Sequence, residues 1–86
     1  MSNEYQTKLR YECLLNLWGV RPTPISAEII QRNSRRDSGV DLPISDIRAE
    51  LVFLCDESLA TRITDPLGVI RYRITSKGCT YWENRE

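Results

Sequence analysis

The 86-residue chain contains no histidine. Without an imidazole, neither a Ser-His-Asp nor a Cys-His catalytic arrangement can be assembled, and any zinc site that uses histidine is excluded. Glycine is scarce too. The four glycines are scattered and form no glycine-rich loop to cradle a phosphate. The three cysteines, Cys13, Cys55 and Cys79, stand 42 and 24 residues apart, and none belongs to a C-x-x-C pair. That spacing argues against a thiolate metal site or a thioredoxin-like motif. It suits small core thiols in a reducing cytoplasm, the expected location. No apolar run approaches the roughly 18 residues of a membrane span, so neither a membrane segment nor a signal peptide is expected. An excess of one charge is lacking as well. Lys and Arg total 12, Asp and Glu total 12, and the net charge is zero. A polybasic protein whose whole surface adheres to nucleic acid is thereby disfavoured.

What remains is ordinary globular composition, 41% apolar and 28% charged, of a length that fits one domain over residues 1–86. Asp56 and Glu57 are adjacent carboxylates with no cleft signal beside them, and they read as a solvated helix end. No enzyme activity, cofactor, metal or small-molecule ligand is expected.

Apolar residues recur at helical spacing in the first two thirds of the chain. Leu9, Cys13 and Leu17, with Leu14 and Trp18 alongside, predict a helix from about Asn3 to Trp18. Lys8, Arg10, Glu12 and Asn16 fill its other side, and Gly19 and Pro22 stop it. Thr23-Pro24 reads as the start of a second helix, with Thr as N-cap and Pro in the first position, ending near Arg35 or Arg36 before Asp37-Ser38-Gly39. Ser45 reads as the N-cap of a third helix whose inward stripe is Ile44, Ile47, Leu51, Leu54 and Cys55. Its end at Asp56-Glu57-Ser58 is expected to fray, because two acids face the negative end of the helix dipole.

After Ser58 the apolar period changes to two. Leu59–Thr64 and Val69–Ile74 alternate as strands around Asp65-Pro66-Leu67-Gly68, a four-residue turn, which predicts a β-hairpin. Ile70, Tyr72 and Ile74 are expected to face the core. Thr75 then reads as the N-cap of a short last helix from Ser76 to about Asn84. Gly78 in its first turn would let the backbone approach the hairpin closely, and Trp82, with Cys79 or Tyr81, would cover the end of the core.

The segment Ile44–Gly78 resembles a winged helix-turn-helix domain: three helices, a two-stranded wing and a short C-terminal helix, a mainly α fold with one β-hairpin. The third helix Ser45-Asp46-Ile47-Arg48-Ala49-Glu50-Leu51-Val52-Phe53-Leu54 and the Leu59-Ala60 step into the wing fit that pattern. The run Tyr72-Arg73-Ile74-Thr75-Ser76-Lys77-Gly78 is similar to the hydrophobic–Thr–x–Lys–Gly ending of the second wing strand in many such regulators. The resemblance covers about residues 5 to 83. More narrowly, the pattern is similar to small ArsR-like winged-helix proteins of Mu-like phages and prophages. It implies a DNA-binding transcriptional regulator, with the third helix in the major groove and the wing on adjacent backbone or minor groove. A homodimer is expected on size grounds, because a core of this length leaves only about 3–5 kcal/mol of margin. The first helix and the Tyr81-Trp82 pair are candidate dimer surfaces.

Candidate contacts to double-stranded DNA follow from charge. Between Leu59 and Lys77 the wing carries Arg62, Arg71, Arg73 and Lys77 against Asp65 alone. Arg71 and Arg73 share a strand face, and Arg62 joins them if the register allows. Arg32, Arg35 and Arg36, at i, i+3 and i+4, share a helical face and serve either as a phosphate or acidic-partner anchor or as simple capping cations. The third helix departs from this pattern. Between Ile44 and Glu57 it carries Arg48 against Asp46, Glu50, Asp56 and Glu57, a sign that repels phosphate. Only Ser45 and Arg48 there suit base or phosphate contacts. Ala49, Val52 and Phe53 fit thymine methyls, a protein partner, or packing against the wing or the N-terminal segment. A winged-helix adaptor that binds protein rather than DNA is therefore the alternative function.

Overall fold

The helix predicted by the first apolar stripe is present in the computed structural model, which describes residues 3–85. Helix α1 spans Asn3–Gly19 and buries Leu9, Cys13, Leu14 and Leu17. Its supposed polar side is not wholly polar-facing. Glu12 is only 2% exposed, and Asn16 is half-buried.

Thr23-Pro24 does not start the second helix. Thr23 lies in a bend, its N–H donating to the Val20 carbonyl at 2.8 Å, and Ile25 forms a single antiparallel bridge with Tyr72. The Ile25 N–H donates to the Tyr72 carbonyl at 2.9 Å, and the Tyr72 N–H donates to the Ile25 carbonyl at 2.7 Å. That exchange satisfies backbone groups on the outer edge of a hairpin strand, which outweighs the local preference of Thr-Pro for a helix start. Ser26 caps instead, its hydroxyl accepting the Ile29 N–H. Helix α2 is short, Ala27–Asn33, and widens into a π-helical turn over Ser34–Ser38. Gly39, left-handed at φ 67°, ends that turn.

Helix α3 spans Ile44–Asp56. Pro43, not Ser45, is its N-cap; the carbonyl of Pro43 accepts the N–H groups of Asp46 and Ile47, both at 3.1 Å. Ser45 lies inside the first turn. Ile47, Leu51 and Leu54 are fully buried, as the stripe requires. The C-terminus is closed rather than frayed. Ser58 takes a left-handed φ of 65°, and the Leu59 N–H donates back to the Leu54 carbonyl at 2.8 Å. The Thr75 hydroxyl and the Lys77 ammonium then satisfy the carbonyls of Ser58 and Glu57. Partners from outside the helix thus offset the unfavourable acids.

Strands β1 (Ala60–Thr64) and β2 (Ile70–Ile74) pair antiparallel, with Ala60 opposite Ile74 and Thr64 opposite Ile70. The turn between them closes on Asp65. Its carbonyl accepts the Gly68 N–H at 2.9 Å, and its carboxylate accepts the N–H groups of Leu67 and Val69. Tyr72 and Ile74 face the core as expected. Ile70 does not: it is 42% exposed, because the hairpin tip reaches past the helices.

Helix α4 (Ser76–Glu83) is capped by Thr75, whose hydroxyl oxygen accepts the Gly78 N–H at 3.0 Å. A Cβ on Gly78 would stand 2.2 Å from the Leu59 carbonyl oxygen, so the close approach is real. Trp82 is buried against Tyr11 and Trp18, with ring centroids 5.2 and 6.2 Å away. It is therefore a core residue and not an available dimer surface; Tyr81 stays exposed. The whole is a winged helix: three helices, a two-stranded wing with Ile25 bridging the outer edge of β2, and a short closing helix. Among the described residues, no helix is long and apolar enough to cross a membrane.

Candidate nucleic-acid interface

Helix α3 with its C-cap residue Glu57 carries four acids against one base, yet two of the acids are turned sideways toward α1. The Tyr5 hydroxyl donates to Asp46 at 2.5 Å, and Arg10 donates to Glu50 at 2.6 Å. Glu50 is only 3% exposed. Donating to the Asp46 carboxylate pushes the Tyr5 phenol up to about 12, since ionising it would place two negative charges together. The Arg10 guanidinium also lies 4.5 Å from the centre of the Phe53 ring. On the opposite flank Arg48 pairs with Glu28 of α2, and both are exposed. Such a surface pair is worth little.

At 100° per residue these pairings leave Ser45, Ala49, Val52 and Asp56 pointing outward, and all four are exposed. The phosphate repulsion implied by the residue count is thus much reduced on this face. Its first three turns present a hydroxyl, a methyl and an isopropyl group, and the Asp56 carboxylate stands at its C-terminal end. Val52 is 49% and Phe53 39% exposed. Neither is tucked away inside the chain, although one side of Phe53 leans on Arg10. Nothing local in the sequence signals the Tyr5–Asp46 and Arg10–Glu50 pairs, whose members lie 41 and 40 residues apart.

The wing register separates its arginines. Arg73 lies opposite Thr61 and Arg71 opposite Ile63, on one face; Arg62 lies opposite Tyr72, on the other. Arg62 therefore does not join the Arg71–Arg73 stripe, because neighbouring positions along a strand point to opposite faces. Arg71 is half-buried and donates to the Asp65 carboxylate at 3.0 Å. That carboxyl lies below its usual range, first through the Val69 backbone N–H and further through Arg71. Arg62 and Arg73 are exposed, and among the described residues neither has an ion-pair partner. Lys77 sits in α4 and donates to the Glu57 carbonyl at 3.1 Å. Leu67 at the wing tip is 90% exposed.

The second basic cluster does not keep its predicted α-helical face. The π turn begins at Ser34, and its wider winding shifts Arg35 and Arg36 relative to Arg32. Each also has an acid close by: Arg35 pairs with Asp41, and Arg36 with Asp37, both at 2.8 Å. Hydrogen bonding from Arg36 holds the Asp37 carboxyl below its usual range. Among the described residues Arg32 has no ion-pair partner. Cys13, Cys55 and Cys79 are free thiols, and burial pushes the Cys13 and Cys55 thiols up. Among the described residues no three His, Cys, Asp or Glu side chains come together as a metal-binding group.

No protein-family model matches the chain, and no curated protein matches it. Two solved structures resemble it. A transcriptional regulator from Clostridium thermocellum, Cth-833, superposes with a TM-score of 0.81 over 96% of this chain and 82% of its own, at 15% identity. The Helicobacter pylori ferric uptake regulator Fur, described as having three functional metal-binding sites, superposes with a TM-score of 0.67 over 78% of this chain, at 27% identity. This chain spans 43% of that protein. The likeness is one of fold, and both neighbours are regulators rather than enzymes.

Proposed function

We propose that residues 1–86 act as one winged-helix domain that binds double-stranded DNA as a transcriptional regulator, with α3 in the major groove. The observation that carries this is the outward face of α3. Tyr5 and Arg10 draw Asp46 and Glu50 aside, leaving Ser45, Ala49 and Val52 as a neutral, small-residue surface. Methyl-bearing side chains of that kind fit thymine methyls in the major groove. Arg73 and Arg62, exposed on opposite faces of the wing, and Arg48 supply phosphate contacts. Arg71 and Lys77 contribute less, since each already has a partner inside the chain. Ser45 is the nearest hydrogen-bonding group for a base edge. Arg32, Arg35 and Arg36 form a more distant, largely neutralised anchor. The regulators found among structures of this fold support the same role. In this reading the protein is a phage or prophage regulator, for which the sequence resemblance to proteins of Mu-like phages is the support, and it works as a homodimer, the state that paired half-sites in DNA would call for.

Fluorescence anisotropy with labelled duplex DNA, read at 50 and 200 mM salt, tests the proposal. Binding is expected to weaken steeply with salt, and Ala49→Asp, at an exposed position, is expected to weaken it at least tenfold without unfolding the chain. Arg73→Ala is expected to lower the salt slope by about 1. No binding to any duplex at the lower salt refutes it.

The exposure of Val52 and Phe53 favours a second role, a protein-interaction module. In that case Phe53→Asp abolishes a complex with a protein, or a homodimer, while duplex binding is absent in the parent chain.

A further inference from the structure

Among the described residues two glutamates are buried, and only one of them has a cation. Glu50 has Arg10 at 2.6 Å. Glu12 has none. Its Oε1 accepts the Ser34 hydroxyl at 3.0 Å and the Ser38 hydroxyl at 3.3 Å; among the described residues no side-chain hydrogen bond or ion pair reaches its Oε2, which keeps a contact with solvent, since the one fully buried side-chain polar atom without a partner is Trp18 Nε1. Taking a carboxylate out of water costs several kcal/mol unless counter-charge and hydrogen bonds replace the lost hydration. Two neutral hydroxyls on one oxygen offset part of that.

Glu12 also lines a cavity of about 380 Å³ between the C-terminal half of α1 and the π turn. Leu15 and Val20 give it apolar walls, and Asn16, Asn33 and Ser38 give it polar ones. The amide donors are engaged: Asn33 donates to the Asn16 side chain at 3.0 Å, and Asn16 donates to the Glu12 carbonyl at 2.8 Å. Arg36, on the rim, is turned to Asp37 and Asn33. The uncommitted group is thus an acceptor with negative charge. The volume lies in the range of small-molecule sites. The lining holds two carboxylates, Glu12 and Asp37, and Asp37 is already paired with Arg36; one unpaired carboxylate between two apolar walls suits an alkylammonium better than a divalent metal, which needs more oxygen ligands.

We propose that this cavity binds a small organic ammonium ion, which donates its N–H groups to Glu12 and lays a short apolar body along Leu15 and Val20. The sequence carries no signature of a small-molecule ligand, because the cavity exists only once the π turn folds over α1. The site is independent of the DNA-binding proposal, and its test uses no duplex.

The probe is n-butylammonium chloride, titrated into isotopically labelled full-length protein and followed by two-dimensional amide NMR. Sodium chloride at equal ionic strength and n-butanol are the controls. Saturable shifts of the Ser34–Gly39 amides, weakened at least tenfold by Glu12→Gln, are expected. Gly19→Phe supplies a second arm. Gly19 lines the cavity, and a Cβ there meets nothing within 4 Å, so a phenyl group can occupy the mouth while leaving the partners of Glu12 intact. It is expected to weaken binding tenfold or more, and it decides the matter should Glu12→Gln fail to fold. Absence of saturable shifts overturns the proposal. So does an equal response to sodium chloride or n-butanol, or undiminished binding by a folded Glu12→Gln or Gly19→Phe variant.

Discussion

Replacing Gly78 by alanine exchanges a poor helix former for the best one inside α4, and on propensity alone it gains about 1 kcal/mol. The packing predicts the opposite sign. A Cβ at residue 78 would lie 2.2 Å from the Leu59 carbonyl oxygen and 2.7 Å from Cγ1 of Ile74. Neither neighbour yields easily. The Leu59 carbonyl accepts the Thr75 N–H at 3.0 Å, and Ile74 is a buried side chain of β2. Overpacking costs about 1–3 kcal/mol, with backbone contacts at the upper end, so the net loss is about 2 kcal/mol. For a domain of this size that lowers Tm by about 8–16 °C. Urea denaturation and calorimetry of Gly78→Ala measure it. Gly19→Ala is the control: its Cβ meets nothing within 4 Å at the end of α1, and stability is expected to hold or rise by up to about 1 kcal/mol. A Gly78→Ala protein as stable as its parent refutes the close approach of α4 to the hairpin.

Arg10→Met strands Glu50 without its counter-charge and is expected to cost about 2–3 kcal/mol, less than for a fully buried pair because Arg10 is partly exposed. Adding Glu50→Met is expected to restore most of that loss in chemical denaturation. Ser58→Gly relieves a left-handed serine and is expected to stabilise by about 1 kcal/mol, read as a higher urea midpoint. Because the folded pKa of Tyr5 is raised, the stability it contributes is complete below the ordinary tyrosine range and is lost as pH rises toward about 12. Ultraviolet titration of the parent against Tyr5→Phe is expected to show a difference step near pH 12, and a step near 10 contradicts the bond to Asp46.

The order of elements was legible in the sequence because each rests on local rules. The stripe from Leu9 to Trp18 has a helical period, Leu59–Ile74 has a strand period, Asp65-Pro66-Leu67-Gly68 is a turn, and Thr75 with Gly78 opens the last helix. Such signals depend on neighbours within a few residues, and steric and hydrogen-bonding preferences at that range are nearly context-free. Where local preference misled, a distant partner overrode it: Ile25 joined Tyr72, which moved the start of α2 to Ser26–Ala27.

The interface was decided in three dimensions. A charge count on α3 includes Asp46 and Glu50 at full weight. Only folding brings Tyr5 and Arg10 of α1 against them and leaves the Ser45, Ala49 and Val52 part of the outer face of α3 without a charged group, with Asp56 at its far end. The sequence supplied four basic residues in the wing segment, but strand register placed Arg62 on one face and Arg71 and Arg73 on the other. The burial of Glu12 likewise depends on a turn that starts more than twenty residues later. Local chemistry chose the helices and strands, while the pairing of groups far apart in the chain chose which charges are hidden and which meet a partner. Electrostatic strength depends on distance and burial, and neither is written in residue order.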